Sequence, residues 1–160
     1  MRRLALFSVL LLTTGAFASN PEEILRKRYK DYNTLIVRGD QRGTTQWVSS
    51  NCEKTFTYTS YQKNKFSRTG YLSSLLQQID NTRKVLKSTT TVRSIKKSGR
   101  TFVVTVASDF KGIVSIDSRQ LTLTDQGVTL ETWEPVGADW KLKTIVQVNA
   151  DTQMQQNEGS

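Results

Sequence analysis

An α+β fold, with N-terminal helices packed in the concave face of a strongly bent antiparallel sheet, is the architecture the sequence predicts. Three observations carry it. Apolar residues recur at helical spacing over 24–36 and again over 71–79. Everything after Asp80 is rich in Thr, Val and Ile, alternates with a period of two, and is cut by hairpin-type turns. No repeat or second composition divides the 160 residues, so one domain and one core suffice. Helices that precede a long sheet bury their apolar stripe against one of its faces. If that sheet bends strongly, it wraps the helices and leaves a cone-shaped cavity.

The elements follow in chain order. Residues 1–18 have the layout of a cleaved signal peptide: Arg2 and Arg3, then apolar Leu4 to Leu12, then Ala16-Phe17-Ala18. The apolar run is about half of the ~20 residues a membrane span needs. An exported protein is therefore expected, in the periplasm or outside the cell, with no membrane insertion after cleavage. The domain is expected over 19–150. Asn20, Pro21 and Glu23 suit an N-cap, a first helical position and a capping box. Ile24, Leu25, Tyr29, Tyr32, Leu35 and Ile36 form one stripe, and Gly39 ends the helix. A short second helix is expected over 44–50, capped by Thr44 or Thr45. A strand over 54–61 alternates Phe56 and Tyr58 with threonines, and 62–70 is polar and turn-like. A helix carries Tyr71, Leu72, Leu75, Leu76 and Ile79, capped by Ser67 or Thr69.

The sheet then takes 85–96, a hairpin at 96–99, and 101–110, with a turn or bulge at 110–112. One long strand or two follow over 113–133, broken at "TDQG" (124–127). A hairpin loop spans 134–139, and Trp140 to Val148 closes the sheet with Trp140 on its buried face. Residues 151–160 have little to bury and read as a disordered tail.

Composition excludes more chemistry than it suggests. Lys and Arg number 23 against 14 Asp and Glu, a net charge of +9 that falls to +7 without Arg2 and Arg3. The basic residues are spread thinly, as on a solvated surface, and nucleic acid is not an expected partner. There is no histidine, which removes Ser-His-Asp and Cys-His catalysis and His-based metal sites. Cys52 is the single cysteine, so no internal disulfide forms, and a buried apolar thiol is its ordinary role. No phosphate loop or calcium-loop spacing is present. Neither metal nor cofactor is expected.

Four stretches resemble the nuclear-transport-factor-2-like superfamily, in particular its SnoaL-like and ketosteroid-isomerase-like members. They are "YNTLIVRGD" (32–40), "WVSSNCEKTFTYT" (47–59), "SRTGYLSSLLQQI" (67–79) and "ETWEPVGADWKL" (131–142). They cover most of the chain after the signal-like segment, in the family's order. A cystatin-like domain has the same helix-to-sheet order. The resemblance implies a cone cavity and a helix-one tyrosine seven residues before Gly-Asp, which is Tyr32, as an oxyanion donor. It also implies a general-base aspartate on the first strand, and here residues 55–60 hold no carboxylate. Family members also often dimerise through the outer face of the sheet, so a homodimer is a further expectation.

The candidate site is therefore aromatic, with no residue assigned a catalytic role. Tyr32, Trp47, Tyr58, Tyr71 and Trp133 are the candidate ligand contacts, together with Glu131, which shares a face with Trp133 on a regular strand. Buried beside an indole, Glu131 would have a raised pKa; exposed, it would pair with Lys141 or Lys143. Non-enzymatic binding of a small apolar or aromatic ligand, with or without protein assembly, is the leading expectation. The alternative is an isomerase, cyclase or hydratase using Tyr32 and a strand carboxylate, with Glu131, Asp109 and Asp117 as candidates.

Overall fold

Asn20 starts the first helix by accepting a hydrogen bond from the Glu22 N–H at 3.1 Å, with Pro21 in the first turn. The computed structural model describes residues 20–156. The signal-like segment and the last four residues of the expected tail lie outside the described residues. Helix α1 (Pro21–Arg38) ends at Gly39, whose φ of 62° is left-handed. The Gly39 and Asp40 N–H groups then close back on Ile36 and Leu35 carbonyls. Asp40 is at once the N-cap of α2 (Gln41–Asn51), accepting from the Gly43 N–H at 2.8 Å. A two-residue Gly-Asp junction thus closes one helix and opens the next.

The cap lies four or five residues earlier than the expected Thr44 or Thr45. Thr44 is instead fully buried, and its hydroxyl has no partner among the described residues. A Cβ at Gly43 would sit 2.5 Å from both Asp40 Oδ2 and Leu35 Cδ2, so a larger residue there would have to push the capping carboxylate and the Leu35 methyl aside. Asp40→Ala should cost about 1 kcal/mol through the lost cap. Urea unfolding of the variant checks this, and an unchanged midpoint would show that the α1 end supports α2 without it.

After β1 (Cys52–Thr59) come a short β2 (Lys65–Ser67), α3 (Arg68–Asn81) capped by Ser67, and four long strands. These are β3 (Thr82–Ser98), β4 (Thr101–Ile116), β5 (Arg119–Val136) and β6 (Asp139–Gln156). The single sheet has the order β2-β1-β6-β5-β4-β3. It is bent and mixed rather than wholly antiparallel, because β1 runs parallel to β6. A parallel neighbour needs a crossover, and the chain from β2 to β5 supplies it. The three helices pack in the concave face, with the core drawn from Leu25, Val48, Phe56, Val104, Trp133 and Leu142, all 0–1% exposed.

Several boundaries differ from the sequence expectation. The "TDQG" stretch does not break the strand: residues 124–127 pair with β4 on one side and β6 on the other. The break falls at Asp117-Ser118, where φ values of 48° and 65° make a two-residue hairpin turn. Lys111 and Gly112 stay in β4, and the irregularity opposite them lies on β3 between Val85 and Lys87. The loop at 134–139 tightens to Gly137-Ala138, with Gly137 at φ 62°. Strand β6 continues through 151–156, paired with 121–126, where a loose tail is expected. Its side chains there are exposed, so backbone pairing rather than burial holds it.

Strand β6 also carries two extra residues. Thr132 and Trp133 pair with Thr144 and Leu142, leaving Lys143 over; Val128 and Thr129 pair with Asn149 and Gln147, leaving Val148 over. Each bulge reverses which residues face inward. Leu142 and Ile145 are buried, whereas Val148 is turned outward and exposed. Simple alternation from Trp140 to Val148 therefore fails after Leu142.

Candidate functional site

Strand β5 is regular where it crosses the cone, so Asp125, Thr129, Glu131 and Trp133 share its inner face. Opposite lies α1, whose stripe places Tyr29 above Trp133, with ring centroids 6.0 Å apart and edge to face. A buried chain of hydrogen bonds results. The Trp133 indole N–H donates to the Tyr29 hydroxyl at 2.8 Å, and that hydroxyl donates to Glu131 Oε2 at 2.7 Å. The Thr129 hydroxyl donates to Glu131 Oε1 at 2.8 Å. Two donors on a carboxylate leave about two of its four lone-pair positions open.

Glu131 is 6% exposed. Burial disfavours its charged form and raises its pKa to about 7, although the bonds from Tyr29 and Thr129 pull the other way. Burial and the neighbouring Glu131 carboxylate push Tyr29 well above 10. Burial likewise raises Tyr32 to about 12, although a hydrogen bond between Tyr32 and Tyr71 opposes the shift. The same burial, with Tyr32 beside it, drives Tyr71 upward. Cys52, buried at the start of β1, is pushed up to about 12 by desolvation. Each of these four hydroxyl or thiol groups is therefore held neutral.

Above this chain lies a cavity of about 170 Å³. Tyr32, Trp47, Tyr58, Tyr71 and Glu131 all line it, and Tyr29 closes one side. The rings stand at tilts: Tyr32 and Trp47 at 48° with centroids 4.9 Å apart, Tyr58 and Tyr71 at 38° and 5.3 Å. Tyr58 donates to Gln147 Oε1 at 2.9 Å, which fixes the far wall. A larger, open groove of about 460 Å³ on the opposite sheet face is lined mainly by polar and charged side chains, Arg93, Asp109 and Asp151 among them, with no aromatic ring among the described residues.

Of the six expected contacts, Trp133 is the one that does not reach the cavity. It is 0% exposed and lies beneath Tyr29, because its inner-face position points under the helix. Arg28 stacks over its ring at 5.4 Å and is held by the Asp139 carboxylate and the Trp140 carbonyl. Burial alone would raise Asp139, but bonds from Lys141, the Trp140 N–H and Arg28 outweigh it and hold its pKa at about 2. Trp140 is half-buried, edge-on to Phe102 at 4.8 Å, at the rim of the core.

The other candidate carboxylates lie elsewhere. Asp109 pairs with Lys87 on the face opposite the helices, and Asp117 sits in an exposed turn. Lys141 is taken by Asp139 and Lys143 by Glu134, so neither reaches Glu131. Tyr29 is the residue sequence reasoning missed as a site member. It stands in the predicted α1 stripe, one helical turn before Tyr32, but only its pairing with Glu131 distinguishes it from a core tyrosine. Among the described residues, no group of three or more Cys, Asp and Glu could hold a metal ion.

Neither a protein-family model nor a curated protein sequence matches the chain. Solved structures do match it in shape. A nuclear-transport-factor-2-like protein from Cytophaga hutchinsonii superposes with a TM-score of 0.61 at 14% identity, covering 80% of this chain and 97% of that one. LinA superposes at 0.63 and 11% identity, covering 87% and 90%. A protein from Novosphingobium aromaticivorans described as a candidate scytalone dehydratase superposes at 0.62 and 12%, covering 87% and 93%. The helices-in-a-cone architecture is thus the nuclear-transport-factor-2-like fold. At these identities the likeness is one of fold.

Proposed function

We propose that this chain is a small-molecule-binding domain whose cone holds a compact ligand of about one ring. The observation that carries the reading is the aromatic cavity of about 170 Å³ with one buried carboxylate on its wall. An apolar cavity of ~150 Å³ accommodates benzene, so the volume sets the ligand's scale. Tilted rings supply apolar contact, and the open lone pairs of Glu131 orient one polar group. Export of the domain belongs to the same proposal and rests on the signal-like residues 1–18.

Ligand-observed NMR with phenol, benzyl alcohol and cyclohexanol tests it. Mutually competitive binding is expected, and it should disappear in Val106→Phe, which fills the cavity from β4. Circular dichroism of that variant shows whether the fold persists. Absence of binding by all three compounds to the wild-type protein would sink the reading.

A second reading has one observation behind it. A carboxyl group with a pKa of about 7, bonded to a tyrosine, is poised for general acid–base work. The Novosphingobium structure described as a candidate dehydratase has the same fold. On this reading Glu131 would be the acid–base group and Tyr29, rather than Tyr32, its hydrogen-bonded partner. Turnover of a hydroxylated one-ring substrate, lost in Glu131→Gln, would favour it over binding alone.

A further inference from the structure

The charge of the cavity wall runs against the charge of the chain. Lys and Arg outnumber Asp and Glu by 23 to 14 overall, yet among the described residues no basic side chain lines the cone. Its two charge-bearing residues, Glu131 and Asp125, are both acidic. Three nearby cations are committed elsewhere: Arg28 to Asp139 and the Trp140 carbonyl, Arg68 to the Cys52 carbonyl, Lys87 to Asp109 across the sheet. Arg26 and Lys30 line a separate groove that meets the cone at Tyr29 and Thr90. The remaining wall is dominated by electron-rich rings. An aromatic face attracts a cation held within about 6 Å of its centre, and a desolvated carboxylate adds to that attraction. An anion would meet repulsion from both.

We propose that the cone selects a small organic cation, an ammonium group on a compact or one-ring body, held among Tyr32, Trp47, Tyr58 and Tyr71 with its charge against Glu131. This rests on the small-molecule-binding reading above and names the class of ligand. Asp125 stands six residues along the same inner face of β5, half-buried, and accepts a hydrogen bond from Thr152 at 2.5 Å. It adds a second negative charge toward the more exposed end of the cavity, where it would favour entry of a cation.

The geometry supplies its own switch. Facing Glu131 are Tyr29 and Tyr32 from α1, Cys52 from β1 and Tyr71 from α3, all held neutral far above pH 8. Arg28 lies over the Trp133 ring, with its guanidinium on Asp139 and the Trp140 carbonyl. Glu131 is therefore the group in this set whose charge changes between pH 5 and 8. A cation gains its partner as the pH rises through about 7.

Calorimetric titration with benzyltrimethylammonium, benzyl alcohol and benzoate, at low salt and at pH 5.5 and 8, tests the proposal. All three share a ring, and the quaternary cation does not titrate. At pH 8 the cation should bind at least tenfold more tightly than the alcohol, with benzoate weakest. That preference should shrink at pH 5.5, and in Glu131→Gln at either pH. Equal binding of alcohol and cation at pH 8 would overturn the cation proposal and leave the cavity reading standing. Binding by none of the three would overturn both. If Glu131→Gln does not fold, the wild-type pH comparison decides: a cation preference unchanged between pH 5.5 and 8 removes Glu131 from the role.

Discussion

Trp133→Ala should lower the unfolding free energy by about 3–5 kcal/mol, the range for truncating a large buried aromatic. This indole is the largest fully buried side chain among the described residues. Its loss empties volume under α1 and removes the edge-to-face contact with Tyr29. It also takes away the N–H donated to the Tyr29 hydroxyl, and with it the orientation of the bond to Glu131. Trp133→Phe separates these contributions. It keeps most of the ring volume and loses the N–H, at a cost of about 1–2 kcal/mol. Chemical denaturation of both variants checks the order. Near-equal losses would show that the hydrogen bond rather than the packing dominates, and two negligible losses would contradict the burial itself.

The second large effect concerns pH. Glu131 releases its proton near 4.5 in the unfolded chain and near 7 in the folded one. Between those values the folded protein holds a proton the unfolded chain lacks, so raising the pH favours unfolding. The stabilisation is complete below about 4.5, falls through the interval and is gone above about 7. At about 1.4 kcal/mol per unit, the total is about 3 kcal/mol. The chain has no histidine, which leaves this window almost free of other titrations. In Glu131→Gln the amide oxygen can accept from Tyr29 while the amide N–H group donates to Thr129. The variant should show a flat stability profile from pH 5 to 8 and exceed the wild type at pH 8. A wild-type midpoint that rises or stays level across pH 5–7.5 would contradict the assignment.

Much of this arrangement is legible in the sequence, and the illegible parts have definite physical reasons. Spacing and caps predict α1 and α3 because local propensity and tertiary burial agree there. The face shared by Glu131 and Trp133 follows from alternation because β5 is regular across the cone. On β6 alternation misleads, since Lys143 and Val148 are extra residues whose presence depends on pairing with β5. Trp140 precedes both bulges and keeps the face of buried Leu142. It is half-buried because it lies next to the Gly137-Ala138 turn at the rim of the core, while Trp133 is enclosed beneath α1. "TDQG" has turn composition but lies between two partner strands, and ladder hydrogen bonds override its preference. The parallel β1–β6 contact joins segments some ninety positions apart, and no local pattern encodes it. Tyr32, Trp47, Tyr58 and Tyr71, singled out from the sequence, do line the cavity, whereas Trp133 does not and Tyr29 is not anticipated. Its role exists only through a partner 102 positions away.

Cys52 draws a different kind of consequence from the same enclosure. It sits at the junction of α2 and β1, 2% exposed, with its proton held to about 12. A thiol so placed reacts with a modifying reagent through openings of the structure around it. As the chain's single cysteine, it makes that reaction a one-site clock. The labelling rate reports how often the helix layer lifts from the sheet, and any molecule that lodges in the cone and holds it shut should slow the clock.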